Sequence, residues 1–240
     1  MKRLLIIIFI FLVIFFAFVA TKNIVVNKLL EMFLEKELEV NINIRDLDVS
    51  LLGGHIRIEG LTIDNPQGFP KREFVYIPSL EIVCNPFEYL KTKKLYVYFL
   101  DLNIERINII KNEDGTINLK QFKVLERKES NTPPLLLIDM FRLRLDDVYF
   151  IEYSLHHKPI LKRYNVNIKD IGFGNLNSFE DVVKLIVLKI ISQTDIGKLI
   201  NISIAPFVED TKDIILLTGK TIKDTLKGIF GLPFIFKNQK

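Results

Sequence analysis

With 240 residues and a single cysteine, the chain has room for one domain or little more, and it can build neither an intrachain disulfide nor a thiolate metal site. Its 49% hydrophobic share and positive mean hydropathy are high for a soluble globule. The net charge of +4 is concentrated at the two ends: Lys2 and Arg3 precede everything else, and six lysines against two aspartates follow from Lys212 onward. The middle is slightly acidic, which excludes the basic, aromatic-interleaved face of a nucleic-acid binder.

Leu4 to Ala20, "LLIIIFIFLVIFFAFVA", carries no polar side chain over seventeen residues. As a helix it covers ~25 Å, and continuing through Lys22 to Val26 reaches the ~30 Å of a hydrocarbon core, with Lys22 snorkelling to the interface. A cleaved signal peptide would want small residues at the last and third-from-last positions, but Phe15 and Phe18 stand in the third-from-last places. An uncleaved anchor is therefore the favoured reading. Lys2 and Arg3 place its N-terminus in the cytoplasm and the bulk of the chain outside it.

Val26, Leu29, Leu30, Phe33 and Leu34 then recur at helical spacing, opposite Lys28, Glu31, Glu35 and Lys36. From Val40 the period becomes two. "VNINI", a turn at Gly53-Gly54 and "HIRIEGLTI" make a hairpin, and Gly60, where the alternation slips, marks a bulge. Two apolar runs follow, "FVYIPSLEIVC" and "KLYVYFLDLNIERINIIK". Asn112-Glu113-Asp114-Gly115 is a turn tetrapeptide, and "TINL" reads as a short return strand. A short helix over "QFKVLER" and a proline-ended linker lead into "LLLIDMFRLRLDDVYFIEY" and "LKRYNVNIKDI", a second meander whose first strand echoes "FLDLNIERINIIK".

In strict alternation, Tyr96, Tyr98, Leu100, Leu102 and Ile104 share one face, apolar throughout, while the other face is apolar only in part. Such a face must be covered or must serve as a groove for something greasy, and the sequence leaves both open. From Asn177 onward the signal is helical. Ser178 caps a helix with Glu180 and Asp181 in its first turn. Further on, Ile215, Ile222, Leu226, Ile229 and Phe230 oppose Lys212, Lys220, Lys223 and Lys227. That pattern suits a helix packed into the groove or one lying on a membrane surface, with Lys220, Lys223 and Lys227 toward the lipid.

No chemistry-bearing motif survives scrutiny. "TGKT" at 218–221 has Ile214 where a phosphate loop needs glycine, and "GFG" at 172–174 has Asn177 in place of the third glycine of a dinucleotide fingerprint. His55, His156 and His157 fall in turns with no metal-ligand spacing, and Asp46/Asp48 and Asp146/Asp147 read as solvated carboxylates on strands. The expectation is no enzyme, no cofactor and no metal.

The chain resembles the AsmA-like family, particularly its short membrane-anchored members. The resemblance rests on the N-terminal anchor, "VSLLGGHIRIEGLTIDNPQGFP", "IPSLEIVCNPFEYL", "LYVYFLDLNIERINIIKNEDGTINL", "YNVNIKDIGFG" and the Leu226–Gly231 ending, and covers most of the chain. It implies a membrane-anchored α+β protein: an N-terminal transmembrane helix, a curved antiparallel β-sheet forming a groove or half-barrel, and C-terminal amphipathic helices. The expected divisions are an anchor over 1–22 (from Lys2, Arg3 and Leu4 to Ala20) and an amphipathic helix over 23–38. A groove domain follows over 39–176, with meanders at 39–120 and 135–176 around a linker at 121–134, and then a helical region over 177–240. Asn65, Pro66, Gly68 and Phe69 form a structural loop. The implied role is single-pass and inner-membrane, with the bulk periplasmic, binding lipid or assisting phospholipid transport and outer-membrane biogenesis. Membrane lipids and other envelope proteins are the expected partners. The alternative is a non-catalytic module that docks an envelope partner through its sheet edge. Roughly eight to ten strands would extend only ~40–50 Å, too short to cross the envelope alone.

Overall fold

The computed structural model describes residues 40–50, 53–122, 136–155, 157–200 and 214–217. The expected anchor, the amphipathic helix of 23–38, the expected helix and linker of 121–134 from residue 123 on, and the lysine-rich segment with Lys220, Lys223 and Lys227 lie outside the described residues. Among the described residues no helix is long and apolar enough to cross a membrane.

The described chain is a mostly-sheet α+β fold. Strands β1 (Ile42–Ser50), β2 (His55–Asp64), β3 (Glu73–Cys84), β4 (Leu95–Lys111), β5 (Leu136–Glu152), β6 (Ile160–Leu176) and β7 (Ile215–Leu217) form one sheet in sequence order. Helix α1 (Pro86–Thr92) joins β3 to β4, while α2 (Phe179–Gln193) and α3 (Ile196–Leu199) follow β6. Every neighbouring pair is antiparallel except β4 and β5, which run parallel from Leu95↔Leu136 to Lys111↔Glu152. The expected all-antiparallel sheet is therefore corrected to a mixed one. The chain between β4 and β5 returns to the starting end, as a parallel pair demands. It also accounts for the echo between the two sequences, since the repeated templates lie side by side.

The most consequential feature is a crease across five strands. In each, two apolar residues three apart flank a doublet: Ile44/Leu47 around Arg45-Asp46, Ile58/Leu61 around Glu59-Gly60, Ile77/Leu80 around Pro78-Ser79, Ile104/Ile107 around Glu105-Arg106, and Leu145/Val148 around Asp146-Asp147. In a regular strand residues three apart face opposite sides. Here all ten belong to one core cluster or pack against it. The ladders miss rungs at or beside the doublets, passing from Ile44↔Leu61 to Asp46↔Glu59, from Tyr76↔Arg106 to Ser79↔Asn103, and from Ile104↔Leu145 to Arg106↔Asp147. The side chains of Glu105 and Arg106 hydrogen-bond each other, which successive residues of a flat strand cannot do. In β6 the register shifts opposite Leu143–Asp147, near Asn167 (φ 48) and Asp170 (φ 49). An extra outward residue in each strand bends the sheet while keeping its apolar side continuous.

Other local choices follow from the sequence. Asn85 caps α1 by accepting from the Glu88 N–H (3.1 Å), with Pro86 in the first turn, a signal the strand-centred sequence reading passed over. Ser178 caps α2 as expected, accepting from the Asp181 N–H. "TINL" does not return as a strand. Ile117 makes one bridge to Lys111, and Asn118–Gln121 forms a 3-10 turn. The fully buried Asn118 amide takes the place of a peptide, donating to the Asn108 carbonyl and accepting from the Ile110 N–H. The helical reading beyond residue 210 is corrected at Ile215–Leu217, which pairs as a strand with Gly172–Gly174.

Gly60 has φ +66, and a Cβ there would stand 2.9 Å from the Arg45 Cβ. Gly60→Ala is expected to destabilise the fold by about 1–3 kcal/mol in urea titration, through the left-handed backbone and the crowding together. An unchanged midpoint would mean that the crease tolerates a side chain at that position.

Candidate functional site: the apolar side of the creased sheet

The main cluster runs through β1 to β6 and includes Val182, Leu185, Val187 and Ile190 of α2 and Ile196 of α3. Its centre is β5, where Phe141, Leu143, Leu145 and Val148 are completely buried. Phe141 stacks on Phe173 of β6 at 5.9 Å, and Phe74 stacks on Phe122 at 4.5 Å beside the 3-10 turn.

The five residues expected to line a groove do not act as one set. Leu100, Leu102 and Ile104 belong to the main cluster and are 9%, 7% and 2% exposed. They face a covered interior. Tyr98 packs instead against a second cluster of Val83, Phe99 and Met140, together with Leu217. The register shift between Val83 and Cys84 is the cause: Val83 pairs with Phe99 but Cys84 with Val97, so one extra β4 residue turns Tyr98 to the other side. There its hydroxyl accepts from the Asn85 amide at 3.1 Å, tying β4 to the α1 cap. Tyr96 is half-buried and belongs to neither cluster's buried set.

Asn65, Pro66, Gly68 and Phe69 lie in the β2–β3 connection. The Asn65 amide donates to the carbonyls of Lys71 (2.7 Å) and Glu73 (3.1 Å), and its oxygen accepts from Asn118 (2.6 Å). Gly68 has φ 94, and its carbonyl accepts from Asn112 of the next turn. The loop is thus held by side-chain amides. Phe69 is half-buried and Pro70 exposed.

The opposite side carries charge. Asp101 is buried and accepts two bonds from Arg142 (3.0 and 2.5 Å) and one from Arg144 (2.9 Å), while Arg142 also lies over the Phe99 ring. Arg144 Nε is buried with no acceptor among the described residues. His55 Nε2 stands 2.6 Å from Glu81, whose carboxylate also meets Arg57 at 3.8 Å. This is the one histidine–carboxylate contact seen among the described residues, and no hydroxyl or thiol among them bonds to it. Among them, too, no cluster of His, Cys, Asp and Glu is placed to hold a metal. The Cys84 thiol is pushed up by burial, which keeps it protonated and unreactive.

One open cleft of about 590 Å³ lies between β6 and the end of α2, lined by Lys162, Arg163, Tyr164 and Ser192 to Asp195. Tyr164 donates a short hydrogen bond to Asp195, and desolvation followed by that carboxylate pushes the phenol up to about 12. Arg163 is committed to Asp147 through two bonds (3.0 and 2.7 Å). The cleft is lined by more polar than apolar surface.

Two carboxylates on the charged side set an acid limit. Glu73 is held below the usual range mainly by hydrogen bonds from Arg106, and Glu81 by the one it shares with His55. Both titrate lower folded than unfolded, so their stabilisation is present above the unfolded value of 4.5 and is lost as pH falls through the folded values. Urea midpoints should therefore drop on acidification below that value. Glu73→Gln should flatten part of the drop while lowering the midpoint at neutral pH, and parallel curves for the two proteins would contradict the assignment.

Compared with known proteins, the chain matches no family model, no curated protein and no solved structure.

Proposed function

We propose that this protein is a membrane-anchored, periplasmic AsmA-like module that handles lipid and performs no chemical step on it. Residues 4–20 tether it to the inner membrane with Lys2 and Arg3 cytoplasmic, and the creased sheet offers its apolar side to acyl chains. The observation that carries this reading is the continuity of that side. Five strands each insert a doublet at the crease so that apolar residues stay together over strands as long as 17 residues.

Leu100, Leu102 and Ile104 lie deep, and lipid entry in this reading starts from that depth. An acyl chain reaches them only by replacing what covers them. Each methylene buried is worth about 0.8 kcal/mol, and each apolar contact given up costs a similar amount, so uptake is an exchange of one cover for another. A near-balanced exchange suits a protein that must both take and release its cargo.

A second reading, docking of an envelope partner through the sheet edge, is favoured by a different observation. Strand β7 pairs only with Gly172–Gly174, so among the described residues no strand pairs with the outer edge of β6 from Ile160 to Ile171. Such an edge is a template for an added strand.

Photo-crosslinking in membranes separates the two. A diazirine analogue of leucine at position 100 is expected to give phospholipid or fatty-acid adducts, and the same probe at Tyr98 none. Protein adducts from Asn165 on the β6 edge, with no lipid at position 100, would favour docking.

A further inference from the structure

The ends of the sheet differ, and the difference points to a second membrane contact. The row Ile42↔Ile63, Ile63↔Val75, Val75↔Ile107, Ile107↔Val148 and Val148↔Tyr164 fixes which features share an end. The start of β1, where the tethering segment joins, lies at the same end as the β5–β6 connection. Beyond that row β4 and β5 continue together to Lys111↔Glu152, a further ~13 Å, so the β5–β6 connection, with the Asn112–Thr116 turn beside it, extends past the paired ends of β1 to β3.

That projecting tip is apolar and basic at once. Leu155, Ile160 and Leu161 are 65%, 53% and 62% exposed, three of the eight large hydrophobic side chains exposed among the described residues. Between Tyr153 and Arg163 the charged residues are Lys158, Lys162 and Arg163, all exposed, with no carboxylate in the stretch. Of the acidic groups near it, Glu152 is engaged by Lys111 (2.8 Å), Asp147 by Arg163 and Asp195 by Lys162 (3.6 Å), while Glu113 and Asp114 are exposed on the neighbouring turn after β4. Exposed aliphatic side chains cost free energy in water, and beside lysines they match the acyl–headgroup boundary of an anionic bilayer.

We propose that this tip inserts Leu155, Ile160 and Leu161 into an anionic membrane surface, with Lys158 and Lys162 among the headgroups. The inference rests on the tethered reading for its geometry. Tether and tip then hold one end of the sheet against the bilayer, so the apolar side opens next to the lipid it exchanges.

The test uses the full chain with Cys84→Ala and a single introduced cysteine carrying an environment-sensitive NBD label, in nanodiscs with brominated acyl chains. At Leu161→Cys the emission is expected to shift to the blue and to be quenched in discs containing phosphatidylglycerol, and several-fold less in pure phosphatidylcholine. Adding Lys158→Gln should lower the inserted-to-free ratio by about fivefold, the equivalent of roughly 1 kcal/mol. Leu216→Cys, equally exposed on β7 toward the other end, should stay unquenched. Water-like emission from position 161 in both bilayers, or equal quenching at 216, overturns the proposal. The tether is read separately by alkaline extraction of native membranes. Release there removes the anchor reading, while quenching of the labelled chain by added phosphatidylglycerol vesicles still decides the tip.

Discussion

An apolar side that must remain on one side of a bent sheet is the constraint from which the other features follow. A strand can bend sharply only by adding a residue, and an added residue reverses every side chain beyond it unless it is itself turned outward. Polar or backbone-special doublets in five strands solve this: Arg45-Asp46, Glu59-Gly60 and Pro78-Ser79 at one height in β1 to β3, and Glu105-Arg106 and Asp146-Asp147 together in β4 and β5, two residues further along. Each strand carries its own doublet, so the β1 to β5 ladders keep one register on both sides of the crease. The charged doublets also feed the ion pairs of the outer side, where Arg106 bonds Glu73 and Asp147 holds Arg163.

Parts of this were readable in the residues. The strands, the hairpin at Gly54, the irregularity at Gly60 and the Ser178 cap each announce themselves through spacing or a conformational requirement. What escaped was non-local. A step of three in one strand looks like noise, and it becomes a rule only when five strands are laid side by side. The same blindness put Tyr98 with Leu100, since the extra β4 residue at the β3 register shift is visible only against its partner. Asn118 was equally opaque, because a side-chain amide standing in for a strand depends on Asn65 and Asn108, distant in sequence. The parallel pairing of β4 and β5 depends on where the intervening segment leads, which periodicity does not encode.

For the candidate site, the apolar identity of Leu100, Leu102 and Ile104 was legible and their depth was not. Burial below a tenth turns an open groove into a closed face whose cover must yield. For the proposed lipid-handling role, that replaces passive shelter with exchange and moves attention to whatever brings the sheet and the bilayer together. On the outer side Asp101 is gripped by two arginines and Glu81 by His55. The sheet divides between a charged exterior held by ion pairs and a buried apolar side.

The most direct measurement is mass spectrometry of lipids that co-purify with the full chain in mild detergent, against a control comprising residues 1–38 alone. A lipid-handling face should retain phospholipid or fatty acid in near-stoichiometric excess over the control. Lipid content equal to that of the control would mean that the apolar side serves only to hold the sheet together.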